Sequence, residues 1–251
     1  MAVDTSRIAE HWRDAQRVAV LTGAGMSAES GIPTFRGAHN GLWQRFDPMQ
    51  LATAEAFRAD PALVWGWYVW RMGMVRAAAP NAGHRALAAL ASTQPVALVT
   101  QNVDDLHERA GSSGAIHLHG ELFAHRCFDC ARPAPNLALP NHDTPLLRVE
   151  PPRCVHCGGP IRPGVVWFGE SLPERAWSNA VAAVEGADLV LVVGTSGLVH
   201  PAAGLPLHAK RRGAVVVEIN PESTPISPTA DVTWRESAAR ALPALVTALA
   251  R

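Results

Sequence analysis

The chain has 251 residues, 48% of them apolar, four cysteines and a formal net charge of zero, with a pI near 7.2. That length suits one large domain, or one domain carrying an insertion, with enough apolar side chains for a sizeable core. The balanced charge argues against bulk electrostatic binding to nucleic acid or an anionic membrane, and no apolar run reaches transmembrane length. Residues 1–17 are charged and amphipathic and lack a signal-peptide core, so a cytoplasmic protein is expected. There is no internal repeat and no low-complexity tract.

In chain order, Ile8 to Gln16 reads as a short amphipathic helix and Arg17 to Leu21 as a buried strand. Next comes Thr22-Gly-Ala-Gly-Met-Ser-Ala-Glu-Ser-Gly31, a strand running into glycines and an expected helix start. Such a turn lets the backbone approach a phosphate closely, and free N–H groups at a helix start attract anions. The G-K-[ST] ending of a P-loop is missing, but Gly23, Gly25 and Ala28 fit the looser G-x-G-x-x-A dinucleotide pattern. A plain strand-to-helix turn has the same pattern.

Leu42 to Ala79 is expected to be helical, with Trp43, Trp65, Trp67 and Trp70 mostly in a core. Tyr68 and Arg71 share a face at i, i+3. A phenol beside a guanidinium fork matches a carboxylate, while a helix with a snorkelling Arg is the plainer alternative. Asn81 to Ser92 reads as another helix and Val96 to Val99 as a strand. Gln101, Asn102 and Asp104 lie just past that strand's end, and His119 just past a second strand, Ala115 to Leu118. Open parallel sheets bind ligands outside the carboxyl ends of their strands, so these residues are expected to converge.

Every cysteine falls in one pattern, Cys127-x2-Cys130-x23-Cys154-x2-Cys157. Two such knuckles suit a closed tetrahedral zinc site with no open coordination position, hence structural rather than catalytic. Two disulfides are the disfavoured alternative. The span 131–153 reads as a loop. Ile161 to Phe168 returns to strand character, and Pro173 to Glu185 reads as a helix. Ala187 to Val193 is a near-continuous apolar strand ending in Gly194-Thr-Ser-Gly197. A helix over 202–212, a strand over 214–219 ending in Asn220-Pro-Glu222, and a closing helix over 237–250 complete the chain. Asn220 and Glu222 are candidates for ribose hydroxyls.

Alternating strands and helices predict an α/β fold: a doubly wound, parallel, Rossmann-like sheet with a smaller zinc-binding and helical domain. The expected division is 1–37, 85–120 and 162–251 for the sheet domain. Insertions 38–84 (helical) and 121–161 (zinc-binding) form the small domain. The crevice between the two is where Gly25, Asn102, His119 and Thr195 are expected to meet.

The stretches G-A-G-M-S-A-E-S-G-I-P-T-F-R-G, T-Q-N-V-D-D-L-H, H-L-H-G, V-V-W-F-G-E, G-T-S and I-N-P-E, with the four cysteines, occur in one order over about residues 18 to 240. Together they resemble the sirtuins, the NAD-dependent protein deacylases. The resemblance implies that Gly23, Ala24, Gly25 and Ser27 hold the NAD pyrophosphate, with Phe35 and Arg36 on the cofactor loop. It implies that Gln101, Asn102 and Asp104 form the Q-N-x-D motif and bind the cofactor, Asn102 and Asp104 lining the ribose and nicotinamide pocket. Gly194, Thr195, Ser196, Asn220 and Glu222 then lie toward the adenosine end, with Ala238 at the adenine. Val166, Trp167, Phe168, Gly169 and Glu170 hold the acyl-lysine peptide by strand addition.

His119, Asn102 and Asp104 are the implied catalytic residues. The acyl oxygen attacks the nicotinamide ribose C1′, nicotinamide leaves, and His119 acts as general base on a ribose hydroxyl. A histidine near its reference pKa of ~6.5 suits that task. Cys127, Cys130, Cys154 and Cys157 are the implied zinc ligands. The Y-x-x-R pair, Tyr68 and Arg71, resembles the desuccinylase and demalonylase branch. Partners implied are NAD and acyl-lysine proteins or peptides, with no nucleic acid and no membrane, and a monomer is expected. A general deacetylase and a mono-ADP-ribosyltransferase are the alternative enzymes. A zinc-stapled nucleotide-binding module without catalysis is the non-enzymatic one.

Overall fold

The computed structural model describes residues 5–34, 46–134, 137, 139 and 145–251. In chain order it contains α1 (Thr5–Asp14), β1 (Val18–Thr22), α2 (Pro48–Leu51), α3 (Ala54–Ala59), α4 (Pro61–Ala77), α5 (Ala82–Ala91), β2 (Val96–Thr100), α6 (Leu106–Arg109), β3 (Ile116–His117) and β4 (Gly120–Cys127). Then follow β5 (Ile161–Val165), α7 (Glu174–Glu185), β6 (Leu189–Val193), α8 (Leu205–Arg211), β7 (Val215–Ile219), β8 (Val232–Trp234) and α9 (Ala238–Leu249). No helix among the described residues is long and apolar enough to cross a membrane.

The chain divides into two compact units, one of Met1–Thr34, Pro80–Leu118 and Pro173–Arg251, the other of Phe35–Ala79 and His119–Leu172. The largest departure from the expected boundaries is at 162–172, which groups with the second unit. The cause is β5: it pairs antiparallel with β4, Cys127 opposite Ile161 and Gly120 opposite Val165, and so stays with the zinc segment.

The first unit holds a six-stranded sheet in the order β3-β2-β1-β6-β7-β8. Every pairing in it is parallel. The chain leaves β1 on one side toward β2 and on the other toward β6, which makes the end of β1 the topological switch point. Burial on both faces explains the unbroken apolar runs. Val18 and Val20 join Leu189 and Leu191 in a core with Ile8, Trp12, Leu87 and Leu242, beneath α1, α5 and α9. Ala19 and Leu21 join Val190 and Val192 on the opposite face, beneath Val184, Leu205 and Ala209 of α7 and α8. Alternation along single strands thus feeds two cores, as a doubly wound sheet requires.

In the second unit, the described part of the expected single helical stretch to Ala79 is three helices. Asp47 accepts from the Met49 amide, Thr53 from Ala56 and Asp60 from Leu63, so each helix starts on its own N-cap. Asp60 also receives both guanidinium nitrogens of Arg148, at 2.6 and 2.7 Å. Trp65, Trp67, Tyr68 and Met72 of α4 are fully or nearly fully buried. Trp43 lies outside the described residues.

Candidate active site

The glycine turn after β1 is shaped by its neighbour strand. The Gly23 amide donates to Val193 O (3.0 Å) and the Gly25 amide to Gly194 O (2.8 Å). Two glycine turns therefore lie back to back: a Cβ on Gly25 would sit 2.8 Å from Gly194 Cα, and one on Gly194 would sit 2.6 Å from the Gly25 carbonyl carbon. Gly25→Ala is expected to cost about 1–3 kcal/mol, because neither contacting atom is a movable side-chain end. An unchanged thermal midpoint would contradict that. The expected helix start is corrected: two short 3-10 turns, Ala24–Met26 and Ala28–Ser30, follow instead. The Gly23 and Gly25 amides already have backbone acceptors.

The Q-N-V-D segment folds onto this turn. Asn102 Nδ2 donates to Gly23 O (3.0 Å) and reaches Ser27 Oγ (3.2 Å), while Ser27 Oγ donates to Asp104 Oδ2 (3.0 Å). Gln101 Nε2 donates to Thr195 Oγ1 (2.9 Å), and Asn220 Nδ2 to Thr195 O (2.9 Å). Gly23, Ser27, Asn102 and Asp104 thus form one hydrogen-bonded group and Gln101, Thr195 and Asn220 a second, both at the carboxyl ends of β1, β2, β6 and β7. Ala24 and Ser196 are half-buried beside it, and Glu222 is exposed. Burial pushes the Asp104 carboxyl up, partly offset by the bonds it accepts from the Leu106 amide and Ser27. Ala238 is buried at the start of α9, where it packs against Gly83, and Glu29 accepts from the Ala239 amide. Phe35 and Arg36 lie outside the described residues.

His119 opens the second unit, half-buried, with its carbonyl accepting from the Val166 amide at 2.8 Å. Val166 is half-buried and Trp167 buried, and exposed Phe168 donates its amide to Ala52 O (2.9 Å). Gly169 has φ 84°, which favours glycine. The Glu170 carboxylate is taken internally. It accepts from both terminal nitrogens of buried Arg162 and from the Trp167 amide (2.8 Å). Burial alone would raise its pKa, but those bonds outweigh it and hold the carboxyl below its usual range. Glu170 therefore braces this strand from within. Arg162 also stacks over the Trp167 ring, 3.4 Å from its centroid. Trp167 Nε1 in turn donates to Tyr68 Oη (2.9 Å). The Arg71 guanidinium lies 4.9 Å from the Trp67 ring centroid and 5.5 Å from that of Tyr68.

The four cysteine sulfurs lie within 4.8 Å of one another. Cys127 and Cys157 are 3.4 Å apart, and Cys130 and Cys154 are 3.7 Å apart. Four thiolates at Zn–S distances of ~2.3 Å would stand ~3.8 Å apart at tetrahedron corners. The cluster fits zinc, and the four thiols are free of disulfides.

A family model described as the Sir2 family matches residues 23–201. The chain belongs to the Sir2 family. A curated relative from Mycobacterium tuberculosis, named NAD-dependent protein deacylase, is 56% identical over 230 residues, covering 92% of this chain and 96% of the relative. Among solved structures, a mutant Sir2 homologue in complex with ADP-ribose superposes with a TM-score of 0.91 at 46% identity, covering 97% of this chain and 96% of the other. A Sir2–p53 peptide–NAD+ complex gives 0.83 at 29% identity, covering 98% of each.

Within this Sir2 chain, sequence reasoning missed the braces rather than the motifs. Arg162 was the readable one: a lone charge in the apolar strand I-R-P-G-V needs a buried partner, and Glu170 stands eight residues on. The Asn81–His84 capping box that starts α5, and the Asn81 bonds to Met26 O (2.8 Å) and Ser30 Oγ (3.1 Å), had no comparable signal.

Proposed function

We propose that this chain is an NAD-dependent protein-lysine deacylase that prefers succinyl- and malonyl-lysine, with deacetylation as a weaker activity. Sir2 membership and relatives named as deacylases support the general reaction. In this reading NAD is the co-substrate. The Gly23, Ala24, Gly25 and Ser27 turn takes its pyrophosphate, and Asn102 and Asp104 take the nicotinamide end. Gln101, Thr195, Ser196 and Asn220 serve the riboses and adenosine, and His119 removes a proton from a ribose hydroxyl. The strand 166–170 receives the peptide, and the zinc of Cys127, Cys130, Cys154 and Cys157 is structural.

One observation carries the acyl preference. Tyr68 Oη is an acceptor for Trp167 Nε1, and Tyr68 makes no other hydrogen bond among the described residues. Burial raises the phenol's pKa, with Arg71 as the main opposing influence, so the group stays neutral and keeps its proton. That proton is left to donate, on the same helix face as the buried Arg71. A donating phenol beside a buried guanidinium suits a carboxylate better than a methyl group. Such charged hydrogen bonds contribute about 1.5–3 kcal/mol, or roughly tenfold to a hundredfold in discrimination.

The test compares kcat/KM for one peptide carrying acetyl- or succinyl-lysine, in the native protein and in Arg71→Met. A native preference for succinyl of that size, collapsing in the variant, is expected. A native preference for acetyl, with the ratio unmoved by the variant, would make the protein a general deacetylase.

A further inference from the structure

We propose that His117, held as an imidazolium by Glu108, is a positioning residue for Asn102. The inference rests on the deacylase reading only in giving Asn102 its part in the nicotinamide pocket. His117 is the second residue of β3, beside Thr100 in the register. Its Nδ1 lies 3.0 Å from the Asn102 carbonyl oxygen and its Nε2 lies 3.0 Å from Glu108 Oε1. Both oxygens only accept. A neutral imidazole carries one N–H and satisfies one of them; the cation satisfies both.

Asn102 is otherwise held through its amide, which donates to Thr100 Oγ1 (3.0 Å), and through its side chain on Gly23 and Ser27. The bond from His117 fixes the remaining group, the carbonyl, and so the peptide plane that leads on to Val103 and Asp104. When the ring loses a proton, the charged carboxylate keeps the remaining N–H, since charge-assisted bonds are the stronger. The bond to Asn102 is the one that goes.

The surroundings agree with a cation at this place. Burial would raise the Glu108 pKa, but the hydrogen bond from His117, together with a backbone hydrogen bond and the neighbouring imidazoles, leaves the carboxyl below its usual range. Asp104 is a nearby buried carboxyl. His107, on α6 with Glu108, is pushed down to about 4 by burial and adds no charge at neutral pH. Also on α6's flank, Arg109 pairs with Asp105 at 3.5 Å. Helix α7 packs against β3 and carries exposed Glu174 and Arg175. Its Glu185 is engaged by Arg212 and His208 at 3.5 and 3.6 Å.

Two readouts test this. The first is the ¹⁵N shifts of the His117 ring with the backbone amide of Val103, followed against pH. The second is the pH profile of nicotinamide release in the native protein, Glu108→Gln and His117→Ala. An imidazolium at pH 7 is expected, with the Val103 signal moving at the same midpoint as the ring. Native kcat/KM for NAD is expected to fall on the alkaline side by roughly threefold to tenfold, the worth of one ordinary hydrogen bond.

Glu108→Gln is expected to remove the alkaline fall. Its amide donates to Nε2 of a neutral ring, whose Nδ1–H still serves Asn102. His117→Ala is expected to sit near the native alkaline level at every pH. A neutral native ring at pH 7, a Val103 signal blind to its titration, or the same alkaline fall in Glu108→Gln would each overturn the inference. Absence of nicotinamide release in the native protein would instead defeat the deacylase reading, and the ring and Val103 shifts would still decide this one.

Discussion

His119→Ala is expected to lower formation of acyl-ADP-ribose by roughly 10²–10⁴-fold, the usual contribution of a positioned general base. His119 is half-buried, and its carbonyl accepts from the Val166 amide, a bond that alanine retains. The base is needed when a ribose hydroxyl is activated, after nicotinamide has left. Exchange of labelled nicotinamide into NAD in the presence of acyl-peptide should therefore fall much less than acyl transfer. Measuring both in the native and variant proteins separates the roles. Parallel loss of exchange and transfer would move His119 into nicotinamide cleavage or substrate binding. Loss of neither would remove it from catalysis.

The second large effect concerns the metal. Structural zinc in comparable thiolate sites supplies on the order of 10 kcal/mol to folding, as much as a whole domain's net stability. Here Cys127 closes β4, and the Cys154 knuckle is tied by Cys154 N to Gly159 O (2.8 Å) and Ile161 N to Pro152 O (2.8 Å), which leads directly into β5. Removing the metal frees the end of the β4–β5 pair where Cys127 faces Ile161. The same unit contains Trp65, Trp67 and Trp167, all almost fully buried. Chelation, or Cys127→Ser with Cys154→Ser, is expected to abolish the near-ultraviolet tryptophan signal of that unit. The far-ultraviolet signal of the six-stranded sheet should largely remain. One zinc per chain in the native protein is part of the same prediction. A metal-free protein with an unchanged melting curve would contradict it.

What was legible in the sequence follows from burial. Leu189 to Val193 reads as a strand because a central parallel strand is apolar on both faces. Gly23 and Gly25 were readable because two backbone turns meet there with no room for a Cβ. The cysteine spacing carried the thiolate cluster. By contrast, β4 (G-E-L-F-A-H-R-C) escaped notice because its register shifts between Glu121 and Arg126, so no period of two survives. Strand β8 has three residues and α6 four, too short for a periodic signal. The break of the Trp-rich stretch into three helices was written in Asp47, Thr53 and Asp60, two of them before proline, but apolar composition masked those caps. Of the polar braces, Arg162 with Glu170 left a trace in the sequence, whereas His117 with Glu108 joins residues whose partnership depends on the fold.

The deacylase activity is tested most directly by mass spectrometry of the products formed from NAD and a succinyl-lysine peptide by the zinc-loaded native protein. Deacylation predicts unmodified peptide, nicotinamide and succinyl-ADP-ribose in equal amounts. Consumption of NAD with the peptide still succinylated, and ADP-ribose attached to peptide or protein, would contradict deacylation and identify an ADP-ribosyltransferase instead.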